Sequence, residues 1–203
     1  MQQLIKLSQT SKLNCFSFGL DARECITGQK LAKKKNTTCS KCYALRGNYN
    51  FSSVKKGKKT NLNHLNAKYF VYVMTYQLQS LRLFRWFDSG DLPHFKSLLK
   101  IVEIAKNTPH CNHWLATREI KFKVKLDKMV ESGKIKLPKN LMIRYSSPEI
   151  DGKPLKTQKY TSTVHKDKKP IGFICKAPSQ GNKCLDCVAC WDKRIKNISY
   201  KLH

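Results

Sequence analysis

Acidic side chains are scarce in this chain: 13 Asp and Glu stand against 40 Lys and Arg, a formal charge of +27 over 203 residues. A field of that sign attracts polyanions, nucleic acid foremost. The scarcity is uneven. No acidic residue occurs between Cys25 and Phe87, while Lys30, Lys33, Lys34, Lys35, Lys55, Lys56, Lys58 and Lys59 lie there in short clusters. Lysine outnumbers arginine 33 to 7, and a genome rich in A and T is the competing explanation for that excess. Long apolar runs are also missing, so nothing approaches a membrane span. The opening MQQLIKLSQTSKLN lacks the three regions of a signal peptide. A soluble, intracellular chain with no membrane partner is expected. Nine cysteines cannot all pair internally, and without a secretion signal a disulfide framework has little support.

What the chain does have is thiols at ligand spacing. Cys175, Cys184, Cys187 and Cys190 form one array, the last three in a C-x2-C-x2-C step followed by Trp191. Closely stepped thiolates hold iron-sulfur clusters, whereas structural zinc sites more often pair two hooks a dozen or more residues apart. The array therefore favours a 4Fe-4S cluster, with zinc as the alternative. A second C-x2-C step, Cys39 and Cys42, follows Cys25 after thirteen intervening residues. Three thiolates on a four-iron cluster leave one iron open. In radical S-adenosylmethionine enzymes that iron takes the amino and carboxylate groups of the cofactor. The alternatives are a fourth thiolate from Cys15, which would close the site, or zinc with a histidine such as His64. Cys111 falls in an expected strand and reads as core, and His110, His113 and His165 show no metal spacing.

Residues 1–60 read as an irregular Cys-rich segment with basic loops, 61–150 as an α/β core, and 151–203 as a polar loop with a C-terminal cysteine module, all in one compact domain. A helix is expected over 62–80, capped by Thr60 or Asn61, with Leu62, Leu65, Tyr69, Val73 and Tyr76 on its apolar face. Its aromatics, Tyr69, Phe70, Tyr72 and Tyr76, serve packing first and base stacking second. Strands at 83–87, 111–116 and 141–145 alternate with helices at 94–106 and 120–130. That alternation predicts a parallel sheet, either small and open or a partial (β/α) barrel. Residues 149–170 read as a loop or hairpin, and a short strand at 171–174 delivers Cys175. The carboxyl ends of parallel strands form the functional edge. Asp88, Ser89, Gly90, Asp91, Thr117, Arg118, Ser146, Ser147 and Glu149 all fall there. Asp91 alone reads first as a helix N-cap.

CxxCYA at 39–44, RWFDSGDL at 85–92, SSPE at 146–149 and the ending CLDCVACWDKRIKNISYKLH together resemble the gene product 88 family of phage proteins. More loosely, the chain is similar to the radical S-adenosylmethionine superfamily. The resemblance implies a viral iron-sulfur protein with a partial (β/α) barrel, acting in the cytoplasm of the infected host cell or carried in the virion. It places Cys25, Cys39 and Cys42 in a first metal group and Cys175, Cys184, Cys187 and Cys190 in a second. The usual radical motif is CxxxCxxC; here the first spacer is longer and contains KLAKKKNTT. Ser89-Gly90-Asp91 approximates the glycine-rich strand-end motif that receives the cofactor's amino group. Two functions follow as expectations. One is an enzyme whose first cluster reduces S-adenosylmethionine in a pocket lined by Asp88, Ser89, Gly90, Asp91, Thr117 and Arg118, with an electron donor as partner. The other is a non-catalytic module in which clusters or zinc stiffen a basic nucleic-acid-binding or virion protein.

Overall fold

The computed structural model describes residues 4–202. Eight strands form one open sheet: β1 (Ser8–Gln9), β2 (Phe16–Phe18), β3 (Leu83–Trp86), β4 (Asn112–Thr117), β5 (Leu141–Ile150), β6 (Thr161–His165), β7 (Phe173–Ile174) and β8 (Asn197–Lys201). Their spatial order is β1-β2-β3-β4-β5-β6-β8-β7, and every pairing except β1 with β2 is parallel. The helices are α1 (Ile26–Ala32), α2 (Ser52–Asn66), α3 (Phe70–Gln77), α4 (Phe95–Asn107) and α5 (Ile120–Glu131).

The side-chain alternation of β3, β4 and β5 divides the interior into two faces. Phe84, Trp86, Leu115 and Leu141 turn to the helical face, where they meet Leu65 of α2, Phe70, Val73 and Met74 of α3, Ile101 and Ala105 of α4, and Phe122 and Leu126 of α5. Leu83, Trp114, Ala116 and Met142 turn the other way, into a smaller cluster with Leu13, Cys15, Cys184, Cys190, Trp191 and Tyr200. One face is thus ordinary core. The opposite face is roofed by the two cysteine-bearing segments.

Several elements differ from the sequence expectation. The helix expected over 62–80 is two helices, and the first begins at Ser52, so the basic KKGKK run is helical. Thr60 and Asn61 lie in mid-helix. Ala67 interrupts the path with extended backbone, its N–H closing on the carbonyls of Asn63 and His64. Tyr69, Tyr72 and Tyr76 are exposed, and the buried face of α3 is Phe70, Val73 and Met74. Asp91 is not the cap of α4; His94 is, through Nδ1 accepting the Ser97 N–H at 3.1 Å. The strand expected over 141–145 runs on through SSPE to Ile150. Pro148 is tolerated there because pairing with β4 ends at Tyr145 and the β5–β6 register shifts between Ser146 and Ile150. The expected loop over 149–170 contains β6, and the expected irregular start contains β1, β2 and α1. Cys111 is fully buried in the main core.

Candidate metal and cofactor site

At the carboxyl ends of the strands lies a cavity of about 610 Å³. Six of the seven motif cysteines line it: Cys25, Cys39 and Cys42 from the first group, and Cys175, Cys184 and Cys190 from the second. Asp88, Ser89, Gly90, Asp91, Arg118, Ser146 and Ser147 line it too. Thr117 lies just beneath, 2 % exposed. Cys187 stands behind Cys184 in the same turn, its N–H bonded to the Cys184 carbonyl at 2.9 Å. Glu149 faces a different cavity, beside His165.

The long spacer of the first group is folded away by helix formation. Cys25 is the residue before α1, whose second N–H, that of Thr27, bonds Glu119 Oε1 at 3.1 Å. Glu119 follows β4 and is 1 % exposed, so α1 is tied to a strand end. The buried Thr37 closes the return: its hydroxyl donates to the Leu31 carbonyl at 2.7 Å and accepts the Ser40 N–H at 3.1 Å. KLAKKKNTT is therefore the second half of α1 and one turn, and Cys39 comes back to Cys25. Gly28 marks how close they are. A Cβ built on it would sit 2.7 Å from Cys25 Cβ, 3.6 Å from Cys25 Sγ and 3.9 Å from Cys39 Sγ. Burial, reinforced by the fields of Asp91 and the neighbouring thiols, pushes the Cys25 thiol well above its ordinary pKa, against the opposing pull of Arg118. Without a metal the Cys25 thiol stands protonated at neutral pH, and metal binding there releases a proton.

Tyr43, which follows the second thiol of CxxC, anchors this loop to β3 by donating its hydroxyl to the Asp88 carbonyl at 2.6 Å. The Asp88 carboxylate is not free toward the cavity. Lys58 Nζ takes both its oxygens at 2.8 and 2.9 Å, with the two side chains 7 % and 3 % exposed. Gly19 makes room for that pair: a Cβ there would lie 2.1 Å from Asp88 Oδ1 and 2.5 Å from Lys58 Nζ. Asp91 is engaged as well. It accepts from the Thr117 hydroxyl at 2.6 Å and from the backbone N–H groups of Arg118 and Leu92, both at 2.8 Å. It acts as a clasp between the ends of β3 and β4.

The second group hangs on Arg144. This fully buried guanidinium on β5 donates to the carbonyls of Ala189, Cys190, Asp192 and Ile195 at 2.8–3.2 Å. The Cys184 N–H bonds the Lys12 carbonyl at 2.8 Å, and the Cys175 N–H bonds the Ser199 carbonyl at 2.9 Å. Tyr200 places its hydroxyl 3.3 Å from Cys190 Sγ. Trp191 packs edge to face on Trp114 at 5.3 Å and donates to the Phe84 carbonyl. Cys15 packs with Cys184 and Cys190, where burial raises its pKa to about 11. It belongs beside the second group, not the first. His64 is bonded to the Tyr69 hydroxyl at 2.7 Å.

Sequence reasoning missed Lys58, Arg85, Trp114, Glu119, Arg144 and Tyr200. The one available signal was placement: Arg85 and Arg144 interrupt apolar strands. Among the described residues no group of three or more His, Cys, Asp or Glu side chains is gathered so as to hold a metal ion, and no helix is long and apolar enough to cross a membrane.

The fold and the site together define an open, mostly parallel α/β sheet roofed at its strand ends by two cysteine-bearing segments. The chain matches the gene product 88 family over residues 2–193 and belongs to that family of phage proteins. Neither a curated protein nor a solved structure matches it.

Proposed function

We propose that this chain is an iron-sulfur protein with a radical S-adenosylmethionine-type reaction cavity, the first thiol group holding a 4Fe-4S cluster with one open iron and the second holding another. The observation that carries the reading is the convergence of six thiols, distant in sequence, on one cavity at the carboxyl edge of a parallel sheet. The donor set fits. Soft thiolates select iron-sulfur clusters or zinc, and Gly28 leaves the space around Cys25 and Cys39 clear of a side chain. A single tetrahedral zinc would hold its sulfurs about 3.8 Å apart, from bonds of about 2.3 Å. A cluster takes one thiolate per iron and spreads its thiolates more widely.

When bound, an open-iron cluster supplies a coordination position and an electron for cleaving the cofactor's sulfonium. The chain's own residues prepare the place. Glu119 and Thr37 fix the two ends of the Cys25-to-Cys39 return. Tyr43 locks the loop to β3, and the Asp91 clasp sets the backbone of Arg118 at the rim. Arg118 places a positive charge near Cys25 and Cys39.

Anaerobic purification followed by iron and acid-labile sulfide analysis tests the reading. About eight irons and eight sulfides are expected, falling by about half in Cys39→Ser/Cys42→Ser and in Cys184→Ser/Cys187→Ser. Stoichiometric zinc without sulfide overturns it. Dithionite-reduced protein mixed with S-adenosylmethionine should yield 5'-deoxyadenosine, and its absence from fully loaded protein removes the enzymatic part.

A second reading, contact with nucleic acid, is favoured by the exposure of Lys30, Lys33, Lys34, Lys35, Lys56 and Lys59 on and around α1 and α2. Lys58 is excluded from that surface by its buried ion pair. Binding to single- and double-stranded DNA should weaken steeply with salt, and flat or absent binding assigns the lysines to genome composition.

A further inference from the structure

The floor of the cavity carries hydrogen-bond donors with nothing to donate to. Arg85 of β3 and Trp114 of β4 are partners in register, with the guanidinium carbon 4.9 Å from the indole centroid. Both line the cavity. Trp114 is 5 % exposed, yet its Nε1 has no partner, and Arg85 Nε has none either. Arg118 Nε, at the neighbouring strand end, is a third such atom. Native folds pair nearly all buried polar groups, so a cluster of unpaired donors in one cavity points to a missing acceptor.

Among the described residues the chain offers Arg85 one neutral acceptor, the Tyr43 hydroxyl 3.4 Å from Nη2, and no free anion. The carboxylates lining the cavity are Asp88, held by Lys58, and Asp91, held by Thr117, Leu92 and Arg118. Neither Arg85 nor Arg118 takes part in a salt bridge among the described residues. Lys12, Lys41 and Lys201 add positive charge to the lining. Arg85 exerts its field on Cys184 and Cys190, on the side of the second thiol group, whereas Arg118 acts on Cys25 and Cys39. A guanidinium fork beside an indole N–H matches the several lone pairs of an oxyanion.

We propose that the cavity binds a small-molecule substrate through an oxyanion, carboxylate or phosphate, received by Arg85 and the Trp114 indole between the two thiol groups. The proposal rests on the cavity reading above for what is then done to the substrate, but the binding itself requires no cluster.

Calorimetric titration of the full chain, once metal-free and once loaded anaerobically, tests it with two probe pairs. Adenosine 5'-monophosphate is set against adenosine for the phosphate, and N-acetylglycine against its amide for the carboxylate. One charged probe should bind saturably at least tenfold more tightly than its uncharged partner, which also identifies the source of the oxyanion. Arg85→Met should weaken that binding at least tenfold, Arg85→Lys less, and Trp114→Phe severalfold, with the exposed Lys134→Ala unchanged. Trp114→Phe and Arg85→Lys decide the matter should Arg85→Met not fold. Equal binding of charged and uncharged probes, no saturable binding of either charged probe, or indifference to both Trp114→Phe and Arg85→Lys overturns the proposal. Oxyanion binding by metal-free protein that also fails to load iron would sink the cluster reading alone.

Discussion

Replacing Arg144 by Met isolates the attachment of the second cysteine segment to the sheet. The guanidinium is fully buried and makes four hydrogen bonds to carbonyls between residues 189 and 195. Bonds to a charged donor contribute about 1.5–3 kcal/mol each, but carbonyls released from the clamp regain water as the segment loosens. The net loss should therefore be about 3–5 kcal/mol, a large share of a domain stability of about 5–15 kcal/mol. Met fills most of the aliphatic volume, so cavity formation adds little. Lysine keeps the charge without the planar fork and cannot reach four acceptors, so Arg144→Lys should recover less than half. Urea denaturation followed by circular dichroism gives the global figure. Native-state hydrogen exchange should show protection lost first across 184–199, with α3 and α4 unaffected until global unfolding. A cost below about 1 kcal/mol for Arg144→Met, with exchange across 184–199 unchanged, would falsify the clamp.

Lys58→Met should cost about 3–5 kcal/mol by leaving the buried Asp88 carboxylate unpaired, and Lys58→Met/Asp88→Asn should recover much of it; equal melting of single and double variants would contradict the pairing. His113 sets an acid limit. It is fully buried, accepts from Trp86 Nε1 at 3.2 Å on Nδ1 and reaches Thr108 Oγ1 at 2.8 Å from Nε2, an arrangement only the neutral ring satisfies. Burial, helped by His110, pulls its pKa from 6.5 to about 4. The unfolded chain takes up this proton below 6.5 and the folded chain only near 4, so stability is full above 6.5 and is lost as pH falls toward 4, by about 3 kcal/mol. His113→Gln should flatten that part of the stability profile, and an unchanged slope in it would show that other groups carry the acid sensitivity.

The middle of the fold was legible because β3, α4, β4, α5 and β5 each bury an apolar pattern of the right period. Leu98, Ile101, Val102 and Ala105 state a helix, and Trp114 and Leu115 sit in a short apolar run. Of the strands that escaped, two are polar. β6 and β8 are TSTVH and NISYK, joined by side-chain bonds of Thr161 and Thr163 with Asn197, and of Thr163 and His165 with Ser199. A ladder stabilised by hydroxyl and amide contacts leaves no hydrophobic alternation to read. The lysine-rich part of α2 was hidden for a related reason, since its buried positions include Lys58 and Asn61, which serve Asp88 and the Gly19 carbonyl. The alternation alone placed Asp88, Ser89, Gly90, Asp91, Thr117 and Arg118 at the ends of β3 and β4, whereas Ser146, Ser147 and Glu149 lie within β5. That both thiol groups share one cavity depends on the order β6-β8-β7, which no local pattern encodes.

That order also governs the sequence of events on the ribosome. Among the described residues β7 pairs only with β8, and β8 alone joins it to the rest of the sheet, yet β7 precedes β8 in the chain. Cys175, Cys184, Cys187 and Cys190 are all synthesised before the strand that seats them has emerged. The first thiol group needs only β2 through β5 and can be arranged while translation continues. A nascent chain would thus complete its two cysteine groups at different times, the second only when residues 197–201 enter between two strands already made.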